Sequence, residues 1–97
     1  MVESLPRSRT ADVIGRQLLR SGTSIGANYR AACRGKSKAN VISKLAIVEE
    51  EADETIYWLE LLIESKIVEP SRVDSLMKET NEIVAMVVAS IRTLRGR

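Results

Sequence analysis

The chain contains no histidine and no phenylalanine, one cysteine, two prolines and five glycines. Without imidazole there is no ready base to activate a nucleophile, and the Glu-x-x-His ligand pairs of a ferritin-like di-iron centre cannot be built. Cys33 stands alone, so an intramolecular disulfide framework is excluded. A reducing cytoplasm is its natural setting, and it is expected as a small buried or half-buried residue. Tyr29, Tyr57 and Trp58 are the only aromatic residues, too few for the stacking platforms of a single-strand nucleic-acid binder. No apolar run approaches the ~18 residues of a bilayer span. The opening Met-Val-Glu-Ser-Leu-Pro-Arg has no signal-peptide hydrophobic region.

What remains is 97 residues with 44% hydrophobic and 29% charged side chains, the balance of one globular domain, residues 1–97. β-branched residues fall at helical rather than alternating spacing, which makes the fold class all-α. The longest uninterrupted pattern is Lys38–Lys66, free of Gly and Pro. Its stripe is Val41, Leu45, Val48, Ala52, Thr55, Leu59 and Leu62, with Ile42, Ile56 and Ile63 beside it. That is wider than a coiled-coil seam and suits a helix roughly 40 Å long with more than one neighbour.

Upstream, a helix over about 10–34 is predicted, capped by Ser8 or Thr10 with Asp12 in its first turn. Val13, Leu18 or Leu19, Ile25, Tyr29 and Ala32 give its approximate period. Gly15, Gly22 and Gly26 each cost up to ~1 kcal/mol relative to Ala. Close approach of another backbone along a small-residue face would explain them; a break near Ser21–Ser24 is the competing reading. Gly35 is predicted to end this helix in a left-handed conformation, and Ser37 to cap the next. The basic turn Arg34-Gly-Lys36-Ser-Lys38 is not a phosphate loop, because Arg30 occupies the position that the motif reserves for glycine. After the connector Ile67–Pro70, Ser71 and Asp74 suggest a capping box for a third helix over 72–94. Its stripe runs through Val73, Met77, Thr80, Val84, Val87, Ile91 and Leu94, and Arg92, Arg95 and Arg97 suit its C-terminal dipole. Short connections imply an antiparallel helical bundle, and three wide apolar faces imply self-association.

Charge is unevenly spread. Residues 1–44 hold nine Lys/Arg against Glu3 and Asp12, whereas residues 45–97 hold six against eleven Asp/Glu. Complementarity between helices or subunits accounts for such a split, and so does a basic surface for phosphates built from Arg7, Arg9, Arg16, Arg30, Arg34, Lys36 and Lys38.

Arg20, Ser24 and Asn28 share one helical face, and Glu51, Glu54 and Trp58 share another. They are expected to meet in a packed polar cluster that specifies helix register or subunit pairing, with Asn28 and Ser24 satisfying carboxylates alongside Arg20. Breaking such a buried pair by removing one partner is expected to cost ~3–5 kcal/mol, enough to matter in a small domain. Glu51 and Glu54 lack the nucleophile and oxyanion donors of a hydrolase, so no enzyme, cofactor, metal or small-molecule substrate is expected. Trp58 is expected to anchor the core or an interface, its indole N–H finding an acceptor.

Leu18-Leu-Arg20-Ser-Gly-Thr-Ser24-Ile-Gly-Ala-Asn28, followed downstream by Glu51-Ala-Asp-Glu54-Thr-Ile-Tyr57-Trp58-Leu59, resembles the four-helix-bundle family of 23S rRNA intervening-sequence proteins, also called S23 ribosomal proteins. The pattern spans about residues 5–95. Two departures stand out: Met1–Pro6 looks like the end of a first helix otherwise lacking, and the Glu usual after the Asn motif is absent. The resemblance implies a homo-oligomeric ring, a homopentamer in comparable members. It also implies possible contact with RNA or DNA, as in the basic accessory proteins of diversity-generating retroelements, within a family of largely undefined role. Residence inside rRNA genes is a fact of location. A non-enzymatic scaffold or adaptor is the first expectation, and a nucleic-acid-binding ring the alternative.

Overall fold

The computed structural model describes residues 9–96 of the protein. They form α1 (Arg9–Cys33), α2 (Lys38–Glu64) and α3 (Pro70–Arg95), with no strand among them. The expected cap Ser8 lies outside the described residues, and Thr10 is already helical.

Each helix runs back along the one before. Ile14 and Leu18 of α1 meet Leu59 and Leu62 of α2 and Val73 of α3 in one apolar cluster. Ala32 of α1 meets Leu45 and Val48 of α2 and Val87 and Ile91 of α3 in a second, at the other end. Full burial of each such Leu, Ile or Val contributes about 1.5–3 kcal/mol. All of it is organised by α2, which packs against both outer helices, while α1 and α3 make no close backbone approach to each other. The result is an elongated body of 47 × 19 × 14 Å.

An open groove therefore runs between α1 and α3, floored by α2. One cavity along it, of about 280 Å³, is lined by Leu18, Gly22, Ile25, Leu59, Thr80 and Ile83. The next, of about 550 Å³, is lined by Tyr29, Cys33, Val41, Met86, Val87 and Leu94 among others. On each helix these lining residues follow the same seven-residue spacing, so the two cavities belong to one face.

α1 departs from its predicted phase. Ala11, Ile14, Leu18, Ser21 and Ala32 are buried, whereas Val13, Leu19 and Tyr29 are exposed. Small Ser21 in the buried row hid the true stripe. The helix passes unbroken through Ser21–Ser24, and no other backbone approaches Gly22 or Gly26, where a Cβ would meet nothing within 4 Å. Cys33 is exposed rather than buried, because it sits in the last turn on the groove side.

The turns also differ in mechanism from expectation. Gly35 has no positive φ. It is glycine for space: a Cβ there would lie 2.5 Å from Val41 Cγ2 and 3.2 Å from the Ala32 carbonyl oxygen. Ser37 does cap α2, its side chain accepting from the Asn40 N–H at 3.1 Å. α3 begins two residues earlier than the Ser71 capping box would allow, since Pro70 is pre-set for the first helical position. Glu69 is the N-cap and makes no side-chain hydrogen bond.

The left-handed terminator is found at Lys66 instead, with φ 57°. The Lys66 N–H donates to the Ile63 carbonyl at 3.0 Å and the Ile67 N–H to the Leu62 carbonyl at 3.2 Å, a Schellman closure. A non-glycine residue there costs about 1–2 kcal/mol in backbone strain, offset in part by glycine's greater unfolded-state entropy. Lys66→Gly should therefore stabilise the protein by about 0.5–1 kcal/mol in urea denaturation. Gly35→Ala should destabilise it by about 1–3 kcal/mol through overpacking; an unchanged midpoint for either variant would contradict the turn geometry.

Candidate functional site

Helical spacing of three places Glu51 and Glu54 side by side on α2, facing Arg20 of α1. Arg20 bridges both. Its Nη1 lies 3.3 Å from Glu51 Oε2, its Nη2 donates to Glu54 Oε1, and its Nε donates to Gln17 Oε1 at 3.1 Å. The Trp58 indole N–H donates to the same Glu54 oxygen at 3.2 Å. Tyr57 stacks edge-on to Trp58, ring centroids 5.1 Å apart, and Trp58 packs against the Ile14–Leu18–Leu59 cluster.

The expected cluster is thus split. Asn28 does not reach the carboxylates; its Nδ2 donates to the Ser24 carbonyl at 2.9 Å and to Ser24 Oγ at 3.2 Å, one turn back on its own helix. Nor is the ion pair buried. The Arg20 side chain is 47% exposed, against 18% for Glu51 and 36% for Glu54, so the cost of breaking a buried pair does not apply.

Sequence reading missed the buried polar contact beside it. Ser21 is fully buried, and its hydroxyl lies 2.9 Å from that of Thr55 across the α1–α2 interface. Thr55 also donates to the Glu51 carbonyl at 2.8 Å. The signal was present: Ser21 sits four residues before Ile25 and three after Leu18, in phase with the apolar stripe.

Electrostatically, the Arg20 hydrogen bond, with help from the Trp58 indole, holds Glu54 below its ordinary value of 4.5, and Arg20 is raised in turn, chiefly by Glu54. Among the described residues no group of three or more potential ligands could hold a metal ion. The arrangement can position helices and one indole ring; it presents no nucleophile beside a base.

The proposed phosphate contacts do not form one patch. Arg7 lies outside the described residues. Arg9 and Arg16 are on the first half of α1, Arg16 Nε reaching the Asp12 carbonyl at 3.4 Å. Arg30, Arg34, Lys36 and Lys38 surround the α1–α2 turn at the far end, all exposed. There the fold adds Arg92 and Arg95, because the end of α3 packs beside Ala32 and Val41. Residues 26–48 and 83–96, which make up this end, contain seven Lys/Arg and no Asp or Glu. Residues 9–25 and 49–82 contain six Lys/Arg against twelve Asp/Glu.

The sequence model of the family described as 23S rRNA-intervening sequence protein matches residues 1–89. The chain belongs to that family. A crystal structure of a protein of unknown function from the S23 ribosomal protein family of Bacteroides thetaiotaomicron is 44% identical, with a TM-score of 0.79. The match covers 81% of this chain and 73% of that one. No curated protein matches. Family membership therefore brings a helical architecture and no activity. No helix among the described residues is long and apolar enough to cross a membrane.

Two measurements test the site. Because Glu54 is lowered, its contribution to stability is complete above the ordinary value of 4.5 and is lost as pH falls through the folded-state value. Trp58 fluorescence should therefore titrate with a midpoint below 4.5, and Arg20→Gln should raise that midpoint; equal midpoints would contradict the linkage. Thr55→Val removes the cross-helix partner of the buried Ser21 hydroxyl, which keeps only its 3.4 Å bond to the Leu18 carbonyl, and should cost about 0.5–1.5 kcal/mol in denaturant unfolding.

Proposed function

We propose that the protein is a non-enzymatic scaffold or adaptor, an antiparallel helical bundle that works as a homo-oligomer in the cytoplasm. One observation carries this reading. Tyr29 and Met86 are 42% and 47% exposed and line a groove whose floor is otherwise core, and Leu19 on α1 is 58% exposed. A small domain that leaves large apolar side chains in water along a continuous concave face gains by covering them. The polar groups that looked most like a site, Arg20, Glu51, Glu54 and Trp58, bond one another and set how α1 lies on α2. The lone Cys33, exposed and without a disulfide partner in the chain, suits a reducing compartment.

A second reading draws on the carboxylate-free end. Arg30, Arg34, Lys36, Lys38, Arg92 and Arg95 concentrate positive charge there with nothing to neutralise it, the electrostatic footprint of a phosphate-backbone contact.

Light scattering at micromolar concentration should report a mass above that of the 10.8 kDa chain; a well-behaved monomer would overturn the scaffold reading. Fluorescence anisotropy with labelled RNA and DNA decides the second. Binding through this end should weaken by ~0.7–0.9 log units per phosphate contact per decade of salt, and charge reversal at Arg34 and Arg92 should abolish it. Absence of binding at low salt would remove that reading.

A further inference from the structure

The end of the molecule built from residues 26–48 and 83–96 holds seven Lys/Arg and no carboxylate. Both ion pairs found among the described residues belong to Arg20, so none of these seven cations is paired there. All but Lys44 are exposed. Helix dipoles change the sum little, because the C-termini of α1 and α3 each bring roughly −0.5 and the N-terminus of α2 roughly +0.5. Roughly six positive charges therefore remain on a cross-section of 19 × 14 Å.

Their placement follows from the fold. Arg30 and Arg34 stand at the end of α1, Arg92 and Arg95 at the end of α3, and Lys36 and Lys38 where α2 begins. α1 and α3 each pack on α2 without close approach to each other, so the arginines form two groups set wider than one helix–helix spacing of ~8–10 Å. A single strand carries one phosphate per ~3.4 Å in a single file, which follows one group or the other. A duplex presents two files with a groove between them. Nor does this end offer a platform for bases. Trp58, with Tyr57 against it, packs at the opposite end beside Ile14 and Leu18, and Tyr29 lines the apolar groove. Single-strand binders combine a basic surface with aromatic stacking, and here only the cations are present. Width decides the form of duplex. The end is too broad to enter the ~12 Å major groove of B-form DNA, but broad enough to rest on both strands that border it. In A-form RNA that groove is deep and narrow.

We propose that this end straddles the major groove of double-stranded DNA, the α1 arginines on one phosphate strand and the α3 arginines on the other. This rests on the phosphate-contact reading and adds the form of its ligand: duplex over single strand, backbone over bases.

Fluorescence anisotropy at low salt tests it, with a short labelled DNA duplex, one of its strands alone, and the RNA duplex of the same sequence. The DNA duplex should bind at least ~10-fold more tightly than either comparator, the effect of engaging the second group of arginines. Arg92→Gln combined with Arg95→Gln removes that group. Duplex binding should then fall to the single-strand level, and its salt dependence should drop by ~1.8 log units per decade, two contacts at ~0.9 each. Single-strand binding should stay as it was. Both positions are exposed, so circular dichroism should remain that of the parent. Arg16→Gln, on the first half of α1, should alter none of these affinities. No binding to any of the three probes removes the phosphate-contact reading as well. A single strand or an RNA duplex bound as tightly as the DNA duplex overturns this proposal alone, as does a double variant that weakens duplex and single strand in equal proportion. Binding to phosphatidylserine vesicles in preference to the duplex overturns both.

Discussion

Burial in this protein passes through one helix. α1 and α3 each pack on α2 and do not approach each other, so Leu45, Val48, Leu59 and Leu62 serve two interfaces at once. That is why α2 carries no glycine or proline and why its apolar stripe is wide. It is also why the groove exists: two cylinders resting on a third, with their backbones held apart, leave a concave strip between them. The exposed apolar side chains, the bare glycine backbone and the cavities are consequences of that single geometric fact.

Two kinds of polar contact fix how α1 lies on α2, and they differ in strength. The Arg20 bridge to Glu51 and Glu54 is conspicuous but half in solvent, where water competes for every hydrogen bond. The Ser21–Thr55 pair is small and enclosed, and sliding α1 by one turn would break it, leaving each hydroxyl only a carbonyl of its own helix. Specificity of register therefore rests more on two hydroxyls than on three charges. The long-range field, by contrast, is set by where chain reversal puts the charges: carboxylates cluster on the Trp58 end and cations on the Gly35 end.

Much of this was legible in the sequence. The stripes of α2 and α3 were in phase from the start, because Leu, Val and Ile repeat there without interruption. In α1, Leu18, Ile25 and Ala32 were in phase, but Ser21 and three glycines dilute the apolar row, and Val13 and Tyr29, read into it, are apolar residues left on the outside, as is Leu19. Gly35 and Lys66 exchanged their expected roles. A glycine is compatible with left-handed backbone but does not require it, and crowding by Val41 is invisible in one dimension. In the candidate site, Arg20 found its carboxylates, as spacing suggested, while Asn28 did not, because local bonding to Ser24 one turn away satisfied it first. Arg92 and Arg95 joined the basic end only once three helices were folded back on each other.

The wide backbone separation of α1 and α3 also bears on how the chain folds. The structure is two helical hairpins that share a member, and every close backbone approach between helices joins neighbours in sequence. Loop closure is then short for each hairpin, which favours rapid folding. Neither hairpin needs the other to form first, so cooperativity between them is carried by the shared α2 and by the α1 and α3 side chains that join it in the two apolar clusters. Detachment of α3 would leave the α1–α2 interface standing, and fraying of α1 would leave α2–α3. An interlocked protein loses everything together; this one has a route to come apart by one outer helix at a time, with its central member the last to be released.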